Sequence, residues 1–345
     1  MAYIDDINEV ASLKLPWENL RGKNILVTGA TGMLCSSLVE VLMSHKGQNY
    51  HVYATGRDET KVKRIFTKYF DNPFFHFFEY DVRNPLNCDI QFHIIIAGAS
   101  VASPQLYVSD PVSVMKSNLN GVDNLFSYGV KHGLEIFLYV SSSEIYGEGD
   151  GQVFTESDSG YVNCATLRAC YPSAKRASET LCIAYGYQYG IDVRIIRPCH
   201  IYGPHFSDSD KRVYAQFIRN VLANEDIVMK STGKQYRSWC YVVDCVSAIL
   251  YILLKGKNGE AYNVADIKSN ITIKELAEMI AEIAGKKVIV ELPSDIEKLG
   301  FNIVTRSVLS TEKLQSLGWY TDSSMKENLV NTIEAIKNEK GDYLN

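Results

Sequence analysis

The sequence contains no long apolar run. No stretch approaches the ~18 consecutive apolar residues that indicate a membrane-spanning helix. The first ten residues, MAYIDDINEV, also have no apolar core of the kind that a signal peptide requires. We therefore expect a cytoplasmic protein that does not associate with a membrane.

An excess of positive charge is missing as well. The chain has 35 Lys and Arg against 40 Asp and Glu, which gives a formal net charge of −5. This balance argues against a general nucleic-acid-binding protein, which would carry a basic patch. It leaves room for a small polyanionic ligand, because one or two local arginines are enough to bind one.

The cysteines show no metal-binding pattern. None of the eight forms a Cys-x-x-Cys pair, and no histidine stands near them at zinc spacing. We therefore expect reduced, mostly buried thiols and no metal site.

What the sequence does contain is a regular alternation of short apolar strands and amphipathic helices. It begins with the strand 24–28 and continues to a strand at 192–197, across 345 residues in total. Such alternation predicts an α/β fold with a doubly wound parallel sheet. After about residue 198 the pattern loosens, which predicts a smaller second α/β domain. The expected organisation is a lead-in over 1–22, a first domain over 23–198, and a second, interleaved domain over 199–340.

A glycine-rich turn follows the first strand and opens the first long helix. It reads Thr28-Gly-Ala-Thr-Gly-Met-Leu-Cys35. Gly29 permits a tight turn, and Gly32 lets the backbone approach a pyrophosphate at the helix N-terminus. This strand–turn–helix context predicts a dinucleotide site. Cys35 stands where a third glycine is usual, and a small thiol is tolerable there.

The end of the second strand bears on the choice between NAD and NADP. An acidic residue usually follows this strand and binds the adenosine ribose. Here the segment reads His-Val-Tyr-Ala-Thr-Gly-Arg57-Asp58, with no acid at the expected place. Arg57 could face a 2′-phosphate instead, so NADP remains an alternative to NAD.

A tyrosine and a lysine four residues apart suggest the chemistry. Tyr171 and Lys175 lie on one face of a predicted helix. A nearby ammonium group and a positive nicotinamide ring both favour the phenolate, which could then take a proton from a hydroxyl as hydride leaves the same carbon. The apolar strand 136–140 leads into Ser141-Ser142-Ser143-Glu144, which predicts hydroxyls and a carboxylate at the end of a central strand.

Together these motifs resemble the extended short-chain dehydrogenase/reductase family, the NAD-dependent epimerases and dehydratases that act on nucleotide sugars. The resemblance covers roughly residues 23–335. It implies Ser142, Tyr171 and Lys175 as the catalytic triad. For the cofactor it implies these residues: Gly29, Thr31, Gly32, Met33, Leu34, Asp81, Val82, Ala97, Gly98, Ala99, Asn118 and Pro198. For the substrate it implies these: Ser143, His200, Arg212 and Arg237.

Within the family the chain is most similar to UDP-glucuronate decarboxylases. They resemble it at Arg168-Ala-Cys-Tyr171, at Ser142-Ser143-Glu144, and at an arginine, here Arg306, that precedes a Leu-Gly-Trp. The resemblance implies that Glu144 and Arg306 assist chemistry after a 4-keto sugar has formed. It also implies a UDP-linked sugar nucleotide as substrate and a homodimer. Cys199-His200 replaces the usual Phe-Asn, a departure that bears on the substrate contact.

Three alternatives remain open at this stage. A 4,6-dehydratase and a 4-epimerase begin with the same oxidation at C4. A nucleotide-sensing protein could keep the fold without catalysis, although the intact triad argues against that.

Overall fold

The computed structural model describes residues 2–206, 210–291 and 304–341. The helices are α1 (Ala2–Ala11), α2 (Met33–Ser44), α3 (Glu59–Phe66), α4 (Pro104–Ser109), α5 (Pro111–Lys131), α6 (Cys170–Tyr189), α7 (Val213–Leu222), α8 (Val242–Lys255), α9 (Ile273–Ala284), α10 (Glu312–Gln315) and α11 (Met325–Gly341). The strands are β1 (Asn24–Thr28), β2 (His51–Gly56), β3 (Phe75–Glu79), β4 (Ile94–Ala97), β5 (Ile136–Val140), β6 (Val153–Phe154), β7 (Asp192–Pro198), β8 (His200–Tyr202), β9 (Ile227–Met229), β10 (Tyr236–Tyr241), β11 (Glu260–Val264), β12 (Asp266–Thr272), β13 (Val288–Val290) and β14 (Arg306–Leu309).

The largest sheet has seven strands in the order β11-β7-β5-β4-β1-β2-β3. Every neighbouring pair in it is parallel. Strands that are covered by helices on both faces are apolar throughout, and β4 is buried at each of its four positions. The predicted doubly wound α/β fold is therefore confirmed.

The strand order reverses at β1, which places the ligand-binding edge of the sheet. The chain runs from β1 to β2 and β3 on one side, and then crosses to β4 and β5 on the other. Ligands bind outside the carboxyl ends of the strands at such a switch point. The segments that leave those ends here are the glycine turn after β1, residues 98–100 after β4, and residues 141–144 after β5.

A second sheet has the order β12-β10-β14-β6, with β8 also paired to β10. It exchanges strands with the first sheet across the predicted boundary at residue 198. β6 comes from the first part of the chain and pairs with β14. β11 comes from the second part and pairs with β7 at the edge of the large sheet. The interleaving therefore runs in both directions.

The lead-in forms helix α1, which packs on α2, α8 and α11. The hydroxyl of Tyr3 lies 2.8 Å from Ser37 Oγ and donates to the Glu40 carboxylate at 2.7 Å. Six of the eight cysteines are buried, and all eight are free thiols. Within the described ranges, no helix is long and apolar enough to cross a membrane. The same ranges hold no cluster of three or more potential metal ligands.

Candidate active site

The glycine turn after β1 has the geometry of a dinucleotide cradle. Gly29 has a φ of +69°, and a Cβ added there would lie 2.8 Å from the Cα of Ala99. Gly32 is the residue before helix α2, and no side chain caps that helix terminus. The first N–H groups of α2 are thus left without an intrahelical partner and favour an anion. These residues fit a dinucleotide pyrophosphate, which needs the close backbone approach that a Cβ would block.

Cys35 is accommodated by a glycine on the neighbouring strand segment. A Cβ added to Gly98 would fall 2.2 Å from Cys35 Sγ, so the thiol occupies the volume that any larger residue at 98 would need. Burial raises the pKa of Cys35 to about 12. The residue is therefore a neutral packing group beneath the cofactor loop, and the missing third glycine does not disrupt the turn.

The adenine end of the predicted cofactor site is more exposed. Arg57 is exposed just after β2, where the acidic residue is missing. Asp81 forms an ion pair with Arg83, and hydrogen bonds from Arg83 lower the pKa of the Asp81 carboxyl. Val82 is buried against Gly121 of α5. The assignment of Arg57 to a 2′-phosphate stays a prediction.

The other predicted cofactor residues line the same edge. Ala97 is the last residue of β4, and the Ala99 N–H donates to Thr28 Oγ1 at 3.2 Å. Met33 and Leu34 form the first turn of α2, and Thr31 lies in the glycine turn. Pro198 ends β7 beside Val264 of β11.

Tyr171 and Lys175 lie in the first two turns of α6, and both are buried. Lys175 Nζ donates to the carbonyl of Val140 at 2.8 Å, and it lies 5.8 Å from the centre of the Tyr171 ring. Burial lowers the pKa of Lys175 to about 7. Burial also raises the pKa of Tyr171 to about 12, and the charge of Glu144 adds to that rise.

The protein groups alone therefore do not make Tyr171 a phenolate. Desolvation disfavours the charged form of both side chains. With these protein groups alone around it, the phenol of Tyr171 keeps its proton at neutral pH, and Lys175 is only partly charged. Further positive charge at the site is needed before the tyrosine can act as a base.

Two serines surround the phenol. Ser142 and Ser100 both form hydrogen bonds with the phenol that lower the pKa of Tyr171. Ser100 Oγ donates its proton to Asn118 Oδ1 at 2.8 Å, so the predicted asparagine lies one hydrogen bond away from a serine beside the phenol. The role of Asn118 at the cofactor stays a prediction. Ser100 was not among the predicted site residues. Its position was a usable signal, since Ser100 follows β4 just as Ser142 follows β5.

Glu144 is bound by an arginine that the motifs did not assign to it. Arg168 Nη2 donates to both oxygens of the Glu144 carboxylate, at 2.7 and 2.6 Å. The guanidinium of Arg168 lies 4.7 Å from the ring centre of Tyr107. The Tyr107 ring stacks on the ring of Tyr171, with 4.9 Å between centres and 15° between planes. Tyr107 was not predicted either, because it lies 64 positions before Tyr171 in the chain.

A group of arginines surrounds His200. Burial, together with nearby positive charges, lowers the pKa of His200 to about 3. Those charges are on Arg237, Arg212 and Arg168. His200 is therefore neutral, and the structure brings the predicted substrate residues 200, 212 and 237 together. Burial lowers the pKa of Arg237 to about 10, whereas the charge of Glu144 acts in the opposite direction.

Arg306 lies on β14 and pairs with Tyr236 of β10, one residue before Arg237. Its guanidinium packs over the Tyr236 ring at 5.0 Å. Among the described residues, no contact joins Arg306 to Glu144 or Tyr171. Ser143 is buried at the start of the short helical turn that carries Glu144.

Several known proteins resemble this chain in sequence and in fold. The model of the NAD dependent epimerase/dehydratase family matches residues 25–265. UDP-glucuronic acid decarboxylase 6 of Arabidopsis thaliana is 32% identical over 310 residues, which is 88% of this chain and 86% of the relative. The UDP-glucose 4-epimerase of Thermotoga maritima, solved with UDP-glucose, has a TM-score of 0.78 at 24% identity, and the match covers 91% of this chain and 99% of that one.

A third similar protein was solved with a charged sugar. The UDP-glucuronic acid 4-epimerase of Bacillus cereus, in complex with UDP-glucuronic acid and NAD, has a TM-score of 0.79 at 22% identity. The match covers 91% of this chain and 99% of that one. At such identities the structures establish the fold alone. The family match, which spans more than half of the chain, together with the relative at 32% identity, shows that this chain belongs to the NAD-dependent epimerase/dehydratase family.

Proposed function

We propose that this enzyme oxidises a nucleotide-linked hexose at C4 and decarboxylates UDP-glucuronate through the resulting 4-keto intermediate. The observation that carries the proposal is the concentration of positive charge at the site, where Arg168, Arg212 and Arg237 all act on His200. Nε of Arg168 and Nε of Arg306 also have no hydrogen-bond partner in the described part of the chain. A substrate with a diphosphate and a carboxylate carries the negative charges that such a group of arginines attracts. The similarity to UDP-glucuronic acid decarboxylases supports the same choice.

NAD is the cofactor that the family and the cradle support. The backbone around Gly29 and Gly32 would hold the pyrophosphate, and Asp81 and Val82 would lie beside the adenine. Lys175 would hold the nicotinamide ribose. The bound cofactor would supply an acceptor for the hydride at C4 of the sugar. Its positive nicotinamide ring also supplies the charge that Tyr171 needs to lose its proton.

The residues of this chain would handle the protons. Tyr171 takes the proton of the C4 hydroxyl, and Ser142 donates a hydrogen bond to that oxygen. The C4 ketone makes the sugar a β-keto acid. The C5–C6 bond then breaks, its electron pair enters the C4 carbonyl, and carbon dioxide leaves. C5 takes up one proton before C4 is reduced again.

Arg306 is the residue proposed to bind the C6 carboxylate, and its replacement tests the substrate assignment. A charge-assisted bond from arginine to a carboxylate contributes roughly 1.5–3 kcal/mol. We expect Arg306→Ala to reduce kcat/KM for UDP-glucuronate by about ten- to a hundredfold, with little change in C4 oxidation of UDP-glucose. The measurement is carbon dioxide release together with the mass of the product. Arg64→Ala, on the exposed face of α3, is the control.

The wild-type product decides between the proposal and its alternatives. Carbon dioxide and a UDP-pentose or UDP-4-keto-pentose support the decarboxylase. A 4-keto-6-deoxy product from an uncharged hexose would instead identify a 4,6-dehydratase, for which Glu144 would be the C5 base. A UDP-hexose epimer would identify a 4-epimerase. Binding without any turnover would leave the nucleotide-sensing protein.

We further propose a homodimer that forms through α5 and α6. The two helices pack against each other, and both carry exposed apolar side chains, among them Val112 and Met115 on α5 and Ile183 and Tyr187 on α6. Tyr187 is 94% exposed in the single chain. We expect light scattering after size exclusion to give twice the chain mass of 38.8 kDa and Tyr187→Glu to shift it towards the monomer. A monomeric wild type would contradict the proposal. The cytoplasmic location stays a prediction.

A further inference from the structure

The ion pair between Glu144 and Arg168 is part of a stack that reaches the catalytic phenol. The Glu144 carboxylate pairs with Arg168, and the guanidinium of Arg168 lies over the Tyr107 ring. That ring in turn stacks on the ring of Tyr171. Both charged side chains are about one-fifth exposed, at 22% each. A pair that is this far removed from water interacts more strongly than a surface pair. The charge of either partner therefore affects the pKa of the Tyr171 phenol.

The groups around Tyr171 come from several elements. They are Tyr107 from α4, Tyr139 from β5, Glu144 from the turn after β5, Arg168 from the turn before α6, and Cys170 and Lys175 from α6 itself. Among the charges, Glu144 has the largest effect on the phenol, and it raises the pKa of Tyr171. Arg168 lowers that pKa, so the two partners act in opposite directions.

A carboxylate beside the catalytic base creates a conflict. The later chemistry needs Glu144 near the sugar, but a bare negative charge there opposes ionisation of Tyr171. An opposite charge within ~4–6 Å shifts a pKa by about 1–3 units, and a like charge has a comparable effect of the other sign. Arg168 resolves the conflict if it cancels the charge of Glu144 as seen from the phenol.

Arg168 is not needed to build the turn that carries Glu144. That turn is held by Arg176, whose Nε donates to the carbonyl of Ile145 at 2.5 Å and whose Nη2 donates to the carbonyl of Gly160 at 2.8 Å. Ser142 also caps the turn by accepting from the Glu144 N–H at 3.2 Å. The backbone around Glu144 is thus fixed independently of Arg168.

We infer that Arg168 is a positioning residue that orients Glu144 and neutralises its charge beside Tyr171, so that the phenol can act as a base at C4. The inference rests on the proposed C4 oxidation, and it holds whichever product is released afterwards. It assigns to Arg168 a part in the first step, in addition to its place in the group of arginines that the charges of the substrate would contact.

The test is the pH dependence of the first half-reaction. The protein is loaded with NAD and mixed with UDP-glucuronate, UDP-glucose, UDP-N-acetylglucosamine or GDP-mannose, and reduced cofactor is followed at 340 nm in a single turnover. We expect Arg168→Met to move the apparent pKa of this rate upward by about 1 unit. Glu144→Gln in the Arg168→Met background should move it back, because the charge that needed cancelling is gone. Arg168→Lys should retain most of the wild-type profile.

Other results would contradict the inference, the proposed function, or both. A uniform loss of rate at every pH in Arg168→Met, with no recovery in the double variant, would show a purely structural role and overturn the inference. If the wild type forms reduced cofactor with UDP-glucuronate but releases no carbon dioxide, the decarboxylase proposal is refuted, and the test of Arg168 still applies. A wild type that reduces no cofactor with any of the four nucleotide sugars would overturn both.

Discussion

Turnover is expected to fall by ~10²-fold or more when Tyr171 is replaced by Phe, the usual scale for the loss of a general base. The substitution removes one oxygen and leaves the ring stacked on Tyr107, so the packing of α6 should survive. Binding of NAD should therefore change little, because the cradle after β1 is untouched. Single-turnover formation of reduced cofactor and calorimetric titration with NAD measure the two properties separately.

Tyr187 provides the matched control for this variant. It lies 16 residues later on the same helix, in the proposed dimer interface, where Phe keeps the apolar ring, so Tyr187→Phe should keep wild-type turnover. Near-wild-type turnover in Tyr171→Phe would refute the catalytic triad. A parallel loss of NAD binding would show that the phenol acts through the cofactor site instead.

Loss of the ammonium in Lys175→Met is expected to reduce turnover by ~10²–10³-fold, the scale seen when one preorganised electrostatic group is removed. The same substitution should stabilise the fold, because a charge buried in the interior is costly. Folding lowers the pKa of Lys175 from its ordinary value of 10.5 to about 7. The folded chain therefore binds the proton less well than the unfolded chain does.

The sign of the pH effect follows from that shift. Below about pH 7 the lysine is charged in the folded and in the unfolded chain, so the burial of its charge lowers the free energy of unfolding by the full amount. Between pH 7 and 10.5 only the unfolded chain stays charged, so wild-type stability rises with pH relative to the variant. The gain in melting temperature of Lys175→Met should thus be larger at pH 6 than at pH 9. A pH-independent gain, or a loss, would contradict the buried position of this lysine.

The elements that alternate up to about residue 198, and the fold class, were predictable from apolar periodicity. The strands 136–140 and 94–97 are apolar and flanked by helices, so a parallel sheet followed directly. Two placements were also predictable from the sequence: Ser142 follows a central strand, and Tyr171 and Lys175 lie one helical turn apart. Their assignment as a triad came from the resemblance and stays a prediction.

Charge states and long-range pairs were not predictable. The Glu144–Arg168 pair joins residues 24 positions apart in two separate turns, and no periodic pattern records such a contact. The raised pKa of Tyr171 depends on burial, which exists only after packing. The pairing of β6 with β14, two short strands more than 150 residues apart, likewise depends on tertiary structure.

The contact between Cys35 and Gly98 makes these two positions epistatic. Because Sγ of Cys35 lies 2.2 Å from where a Cβ at position 98 would stand, Gly98→Ala is excluded while the thiol is present. Removing the thiol by Cys35→Gly eliminates the shortest of these contacts and leaves the carbonyl oxygen of Thr28, at 3.1 Å, as the next one. The effect of Gly98→Ala thus depends on the residue at position 35. A lineage that first changes cysteine to glycine at 35 meets a smaller barrier at 98, whereas the reverse order passes through a chain in which the new methyl group collides with the thiol.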